Sequence, residues 1–169
     1  VTRGPGATHA SVGVHTARQD STPLILFVGQ VDREIVDREG FQEVDFRAMF
    51  APLAKWAAQI DDPARIPEYV SRAFHTAVNG RPGPVVLAIP EDTLSDSCEA
   101  ATPAAYVQAQ AGPTSQSLDT LKDLIGRAER PLLVIGGSGW NAQACADICA
   151  FAEAFELPTA VTFRRQDIF

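Results

Sequence analysis

The sequence predicts an α/β fold of parallel-sheet, three-layer units in two partial domains, and three observations carry that reading. Residues 24–28 and 85–89 are continuous apolar runs without alternation, the pattern of strands buried on both faces of a parallel sheet. Each follows a stretch with helical character, as the crossovers of such a sheet require. Residues 93–113 then exchange periodic apolar positions for alanine, serine, threonine, glutamine and proline, which marks a linker between residues 1–92 and residues 114–169.

Composition narrows the function. Of 169 residues 46% are hydrophobic and 21% charged, an ordinary balance for a folded globular chain. A formal net charge of −7 excludes the clustered cations that a nucleic-acid or anionic-membrane surface needs, so neither is expected as a partner. No apolar run approaches the roughly 20 residues of a membrane span, and the first residues do not read as a secretion signal, so a cytoplasmic location is expected. Cys98, Cys145 and Cys149 neither pair evenly nor show metal spacing with histidine. They are expected as reduced thiols, with Cys145 and Cys149 buried on one helical face, and no metal ligands are assigned.

The elements follow in order. Arg3-Gly4-Pro5-Gly6-Ala7-Thr8-His9 joins two flexible glycines to a fixed proline φ, and Thr8 is expected to cap a helix running to Gln19. The run 24–28 ends in Gly29-Gln30-Val31, at the strand end where open α/β sheets place ligands. Residues 32–40 are dense in charge and read as a surface loop whose charges have no special role. After Phe41-Gln42-Glu43, the residues Val44, Phe46, Met49, Phe50 and Leu53 fit one helical face until Pro52 interrupts it. Residues 55–60 suit a short strand, and Asp62-Pro63 opens a helix with Ile66, Tyr69, Val70, Ala73, Phe74 and Ala77 on its apolar stripe. His75 lies off that stripe. Asn79-Gly80-Arg81-Pro82-Gly83-Pro84 ends the helix before the second strand.

Beyond the linker, Thr114 or Ser115 caps a helix carrying Leu118, Leu121, Leu124 and Ile125. Residues 132–135 form a strand, Gly136-Gly137-Ser138-Gly139 turns into a helix over about 141–155, and residues 159–162 form the next strand. The chain opens inside a ligand-type loop and closes after barely two strands of its second unit. Both ends are therefore expected to continue in a longer polypeptide.

Five segments stand in order at fixed spacing: Arg3-Gly4-Pro5-Gly6-Ala7-Thr8, Gly29-Gln30-Val31, Phe41-Gln42-Glu43, Gly80-Arg81-Pro82-Gly83-Pro84-Val85 and Ile89-Pro90-Glu91-Asp92. Together they resemble the thiamine diphosphate-dependent enzymes of the acetolactate synthase type. The resemblance implies that residues 1–92 are the second half of the domain holding the cofactor's aminopyrimidine ring. It implies that residues 114–169 are the first half of a Rossmann-like central domain. By position, Pro5, Gly6, His9 and Gln42 are implied on the cofactor side, and Phe41 and Gln42 as the catalytic residues facing a 2-ketoacid. Gln42 carries a neutral amide with donor and acceptor ends, which suits orienting a carbonyl rather than moving a proton.

The family's glutamate on the aminopyrimidine and its ligands for Mg²⁺ fall outside this stretch, so the isolated chain is expected to be inactive. A homodimer or homotetramer is implied, because the family's active site lies between subunits. Three departures separate the chain from the biosynthetic enzymes. His9 replaces their usual asparagine, Asp32 replaces a proline, and Phe163-Arg164-Arg165-Gln166-Asp167 replaces a glycine-containing segment. Flavin (FAD), held by many acetolactate synthases, is not implied by these residues, and Gly136 and Gly137 suit an adenine nucleotide or a purely structural turn equally. Relatives that act on oxalyl-CoA or 2-hydroxyacyl-CoA share the same segments. A non-catalytic nucleotide- or partner-binding module is the reading from another class.

Overall fold

The computed structural model describes residues 1–169, which form two compact units, residues 1–109 and 110–169. In chain order the first contains α1 (Pro5–Asp20), β1 (Leu24–Gln30), α2 (Phe46–Phe50), β2 (Trp56–Gln59), α3 (Ile66–Val78), β3 (Pro84–Pro90) and α4 (Glu91–Ser95). The second contains α5 (Ser115–Arg127), β4 (Leu133–Ile135), α6 (Ala142–Ala154) and β5 (Thr159–Val161).

The first sheet is parallel with strand order β1-β3-β2, and β3 is buried along its whole length. Alternation along β3 sorts the core into two layers. Val86 and Ala88 pack with Val28, with Ala7 and Val14 of α1, and with Phe46 and Phe50 of α2. Val85, Leu87 and Ile89 pack on the other face with Ile60 and with Ala73 and Ala77 of α3. The apolar run 85–89 lacks alternation because both of its faces are covered.

Two cations close the helices at the sheet edge opposite the strand carboxyl ends. Arg81 donates to Ser21 Oγ at 2.8 Å and to the Arg18 and Gln19 carbonyls at 3.3 and 3.2 Å, satisfying the last turn of α1. Lys55 Nζ donates to the Thr76 carbonyl and, at 2.7 Å, to that of Asn79, doing the same for α3. Partial withdrawal from water, then the nearby charge of Arg18, lowers the Lys55 ammonium below its ordinary value.

Several sequence expectations are corrected here. The first helix begins at Pro5 rather than after Thr8, because proline's φ suits the first helical position and its missing N–H has no partner to lose there. Thr8 is thus inside the helix, its hydroxyl donating to the Gly4 and Pro5 carbonyls. Phe74 is 48% exposed and leaves the α3 stripe. The charges of residues 32–40 also have a role. Arg33 donates to Asp92 Oδ2 at 2.6 Å, to the Asp61 carbonyl at 2.8 Å and to the Asp96 carboxylate, while Asp32 accepts from the Asp92 amide at 3.1 Å. The loop is therefore tied to α4.

In the second unit β4 and β5 pair in parallel. Thr114 caps α5 by accepting from the Ser117 amide, and Asn141 caps α6 by accepting from that of Ala144. Leu118, Leu121 and Leu124 are exposed, and Cys145 and Cys149 are half-buried free thiols rather than buried ones.

Leu87→Ala is expected to cost the first unit about 2–5 kcal/mol, whereas Phe74→Ala should cost no more than about 1 kcal/mol. Urea unfolding followed by Trp56 fluorescence in a Trp140→Phe background measures both. A second expectation concerns pH. Desolvation raises the Asp92 carboxyl, but the donors of Arg33 outweigh it and hold the group below its ordinary 3.8. A carboxylate depressed in the folded state contributes stability above its unfolded value and loses it as pH falls through the folded one. Amide protection factors in residues 33–38 should therefore drop selectively below pH 3.8, and Asp92→Asn should abolish that acid step.

Candidate functional site

The carboxyl ends of β1 and β3 form one edge of the first sheet, since Gln30 lies opposite Pro90 in the parallel register. Three segments meet there. The first precedes α1: Val1 runs beside β1, its backbone nitrogen donating to the Phe27 carbonyl at 2.8 Å and its own carbonyl accepting from the Gly29 amide at 3.0 Å. The chain then turns at Gly4 with φ 55°, a left-handed conformation that favours glycine.

The second loop follows β1. Gln30 is buried, and its amide donates to the Val44 carbonyl at 2.8 Å and accepts from the Val31 amide at 2.9 Å, fixing the base of residues 31–44. Glu43 holds the loop's interior, accepting from the Asp37 amide at 2.7 Å and the Gly40 amide at 2.8 Å. Gln42 sits at the tip with φ 63°, an uncommon conformation for a residue with a side chain. The third segment is the first turn of α4, Glu91 with Asp92, directly after β3.

Gly4 and Gln42 touch. A Cβ at Gly4 would come within 2.7 Å of Gln42 Cβ and 3.1 Å of its carbonyl, so only glycine allows this approach. Arg3 joins all three segments, donating from Nε to the Phe41 carbonyl at 3.2 Å and from Nη1 to Glu91 Oε2 at 2.9 Å. The structure thus brings Gly6 and Pro5 to the same edge as Phe41 and Gln42. Pro5 and His9 are exposed, and Gly6 and Gln42 are half-buried.

Beside Gln42 lies an open cavity of about 490 Å³ lined by Asp37, Glu39, Gly40, Gln42, Glu43, Val44 and Asp45. Its carboxylates make that side unfavourable for an anion. Arg3 and Arg33 are cations at this edge, each paired with a carboxylate. No group of three or more histidine, cysteine, aspartate or glutamate side chains is placed to hold a metal ion.

Gly136 and Gly137 stand apart, in the second unit. A Cβ at Gly136 would lie 2.6 Å from Thr162 Cγ2, so its glycine serves close packing against the end of β5. The Gly136 carbonyl accepts from Trp140 Nε1 at 3.0 Å, and Gly137 has φ 80° with open space around it.

Sequence reasoning named Pro5, Gly6, His9, Phe41 and Gln42 but not Arg3, Gly4, Gln30, Glu43 or Glu91 as site residues. Arg3 offered a signal, a lone cation beside a glycine-rich turn. Gln30 and Glu43 lay within segments the sequence singled out, but their roles were not legible, because their partners are backbone groups brought near only by folding.

The chain matches two family models: "Thiamine pyrophosphate enzyme, N-terminal TPP binding domain" over residues 1–49 and "Thiamine pyrophosphate enzyme, central domain" over residues 118–169. It is 34% identical over 175 residues to the acetolactate synthase large subunit of Parasynechococcus marenigrum, covering 99% of this chain and 28% of that protein. It is 36% identical over 161 residues to the acetolactate synthase isozyme 1 large subunit of Escherichia coli, covering 94% and 28%. The crystal structure of benzoylformate decarboxylase from Polynucleobacter necessarius superposes with a TM-score of 0.85 at 30% identity, covering 95% of this chain and 30% of that one. The chain thus spans under a third of the length of these relatives.

Gly4→Ala is expected to destabilise the first unit by about 1–3 kcal/mol, through the left-handed φ and the contact with Gln42. Amide shifts in two-dimensional NMR should move across residues 40–44 and leave those of β3 in place.

Proposed function

Since the chain belongs to the thiamine pyrophosphate-dependent enzyme family, we propose that it is part of a carboligase or decarboxylase resembling acetolactate synthase, acting on a small 2-ketoacid. One observation carries this reading furthest: the Gly4-Pro5-Gly6 turn and the Phe41-Gln42 turn touch at the carboxyl edge of a parallel sheet, the place where such sheets bind ligands.

The residues present fit one side of the cofactor. A glycine-proline-glycine turn with Pro5 exposed offers a flat, uncharged face for a ring, and no carboxylate of the acidic cavity lies in that turn. Pro5, Gly6 and His9 would hold the aminopyrimidine side of thiamine diphosphate. Bound thiamine diphosphate supplies an electron sink for the carbon left when a ketoacid loses carbon dioxide. Gln42, held in one conformation, orients the substrate carbonyl through its amide, and the exposed ring of Phe41 covers the reacting face from water.

In this reading residues 1–92 belong to the pyrimidine-binding domain, 93–113 are the linker and 114–169 belong to the central domain. Ligands for Mg²⁺ lie outside the 169 residues, and the working form is a homodimer or homotetramer in the cytoplasm. Gly136 and Gly137 are read as a structural turn, because Thr162 and Trp140 account for the glycine at 136 and its carbonyl.

The test is turnover of pyruvate by the full-length protein with thiamine diphosphate and Mg²⁺. Activity that requires the cofactor is expected there and not from the 169-residue chain. Gln42→Ala in the full-length protein should lower kcat about 100-fold. Turnover by the isolated chain, or a Gln42→Ala enzyme as fast as the parent, would overturn this account.

A further inference from the structure

We propose that Arg3 is a positioning residue, a clamp that holds the Phe41-Gln42 turn against the N-terminal turn by bridging the Phe41 carbonyl to the Glu91 carboxylate. This rests on the functional reading above, which puts Gln42 at the substrate.

The need for a clamp follows from what else holds the turn. Phe41 is 78% exposed, so burial of its ring does not anchor the tip. The bonds of Glu43, to the Asp37 and Gly40 amides, stiffen the loop internally without attaching it to another segment. Gln30 secures its base through the Val44 carbonyl, Arg33 ties its first residues to α4, and at the tip Gly4 packs against Gln42, but none of these holds the Phe41 carbonyl. Gln42 nevertheless keeps φ 63°, a conformation that persists only where surroundings over-determine it.

Arg3 supplies that constraint. Its side chain is 27% exposed, its Nε reaches the Phe41 carbonyl at 3.2 Å, and its Nη1 is fixed by Glu91 at 2.9 Å. The planar fork matters, because two donors in fixed geometry can serve a carbonyl and a carboxylate together.

Hydrogen exchange on the full chain tests the clamp in Arg3→Met, Glu91→Gln and the double variant. Exchange across residues 41–45 is expected to rise about tenfold in Arg3→Met and about threefold in Glu91→Gln, with β3 unchanged. The double variant should exchange no faster than Arg3→Met, because Glu91 acts only through Arg3. Wild-type exchange across 41–45 in Arg3→Met, or a further rise in the double variant, would overturn the proposal. If Arg3→Met also loses protection in β3, Glu91→Gln decides: faster exchange confined to 41–45 supports the clamp and unchanged exchange refutes it.

In the full-length protein Arg3→Met should lower kcat for the ketoacid about tenfold and leave KM for thiamine diphosphate within about twofold. A loss confined to KM for thiamine diphosphate would refute the positioning role. Absence of thiamine-dependent turnover in the parent protein would instead sink the functional reading, and the exchange result would still decide the clamp.

Discussion

Parallel pairing of β1 with β3, Leu24 opposite Pro84 through Gln30 opposite Pro90, is the constraint on which the rest of the first unit depends. A parallel ladder aligns the carboxyl ends of both strands, so the segments that leave β1 and β3 must emerge on one edge. That is why Arg33 meets Asp92, and why Arg3, running beside β1, reaches Glu91. Burial of β3 on both faces fixes the pairing: a one-residue slip would exchange Leu87 and Val86 between two different cores.

The two edges of this sheet do different work. At one, Arg81 and Lys55 satisfy the last carbonyls of α1 and α3, which accounts for the arginine in the Gly80-Arg81-Pro82-Gly83-Pro84 segment without a ligand. At the other, the polar partners are spent on holding loops, and the conformationally uncommon residues Gly4 and Gln42 collect. That uncommon backbone lies beside the exposed ring of Phe41 and the neutral amide of Gln42.

Much of the architecture was legible in the sequence, and the misreadings have physical causes. The runs 24–28 and 85–89 announced parallel strands, and Thr114 and Asn141 were legible as helix starts, since a cap is a local hydrogen bond. Phe74 was misplaced because helical spacing gives a stripe's direction but not where the partner surface ends. Thr8 was misplaced because a good capping residue and a proline competed for the start of α1, and proline's fixed φ prevailed. The charges at 32–40 looked like a solvated face because their partners lie 28 to 63 residues away.

The amino-acid sequence by itself determined the α/β class, the strand identities and the segments that resemble a thiamine diphosphate-dependent enzyme, because apolar patterning and glycine-proline turns act over a few residues. Only the tertiary structure decided which of those segments touch. Gly4 against Gln42, Arg3 between Phe41 and Glu91, and Gln30 beneath Val44 are contacts across 14 to 88 residues. Such contacts exist once a shared sheet edge has brought distant backbone groups within hydrogen-bond reach, and no local pattern encodes them.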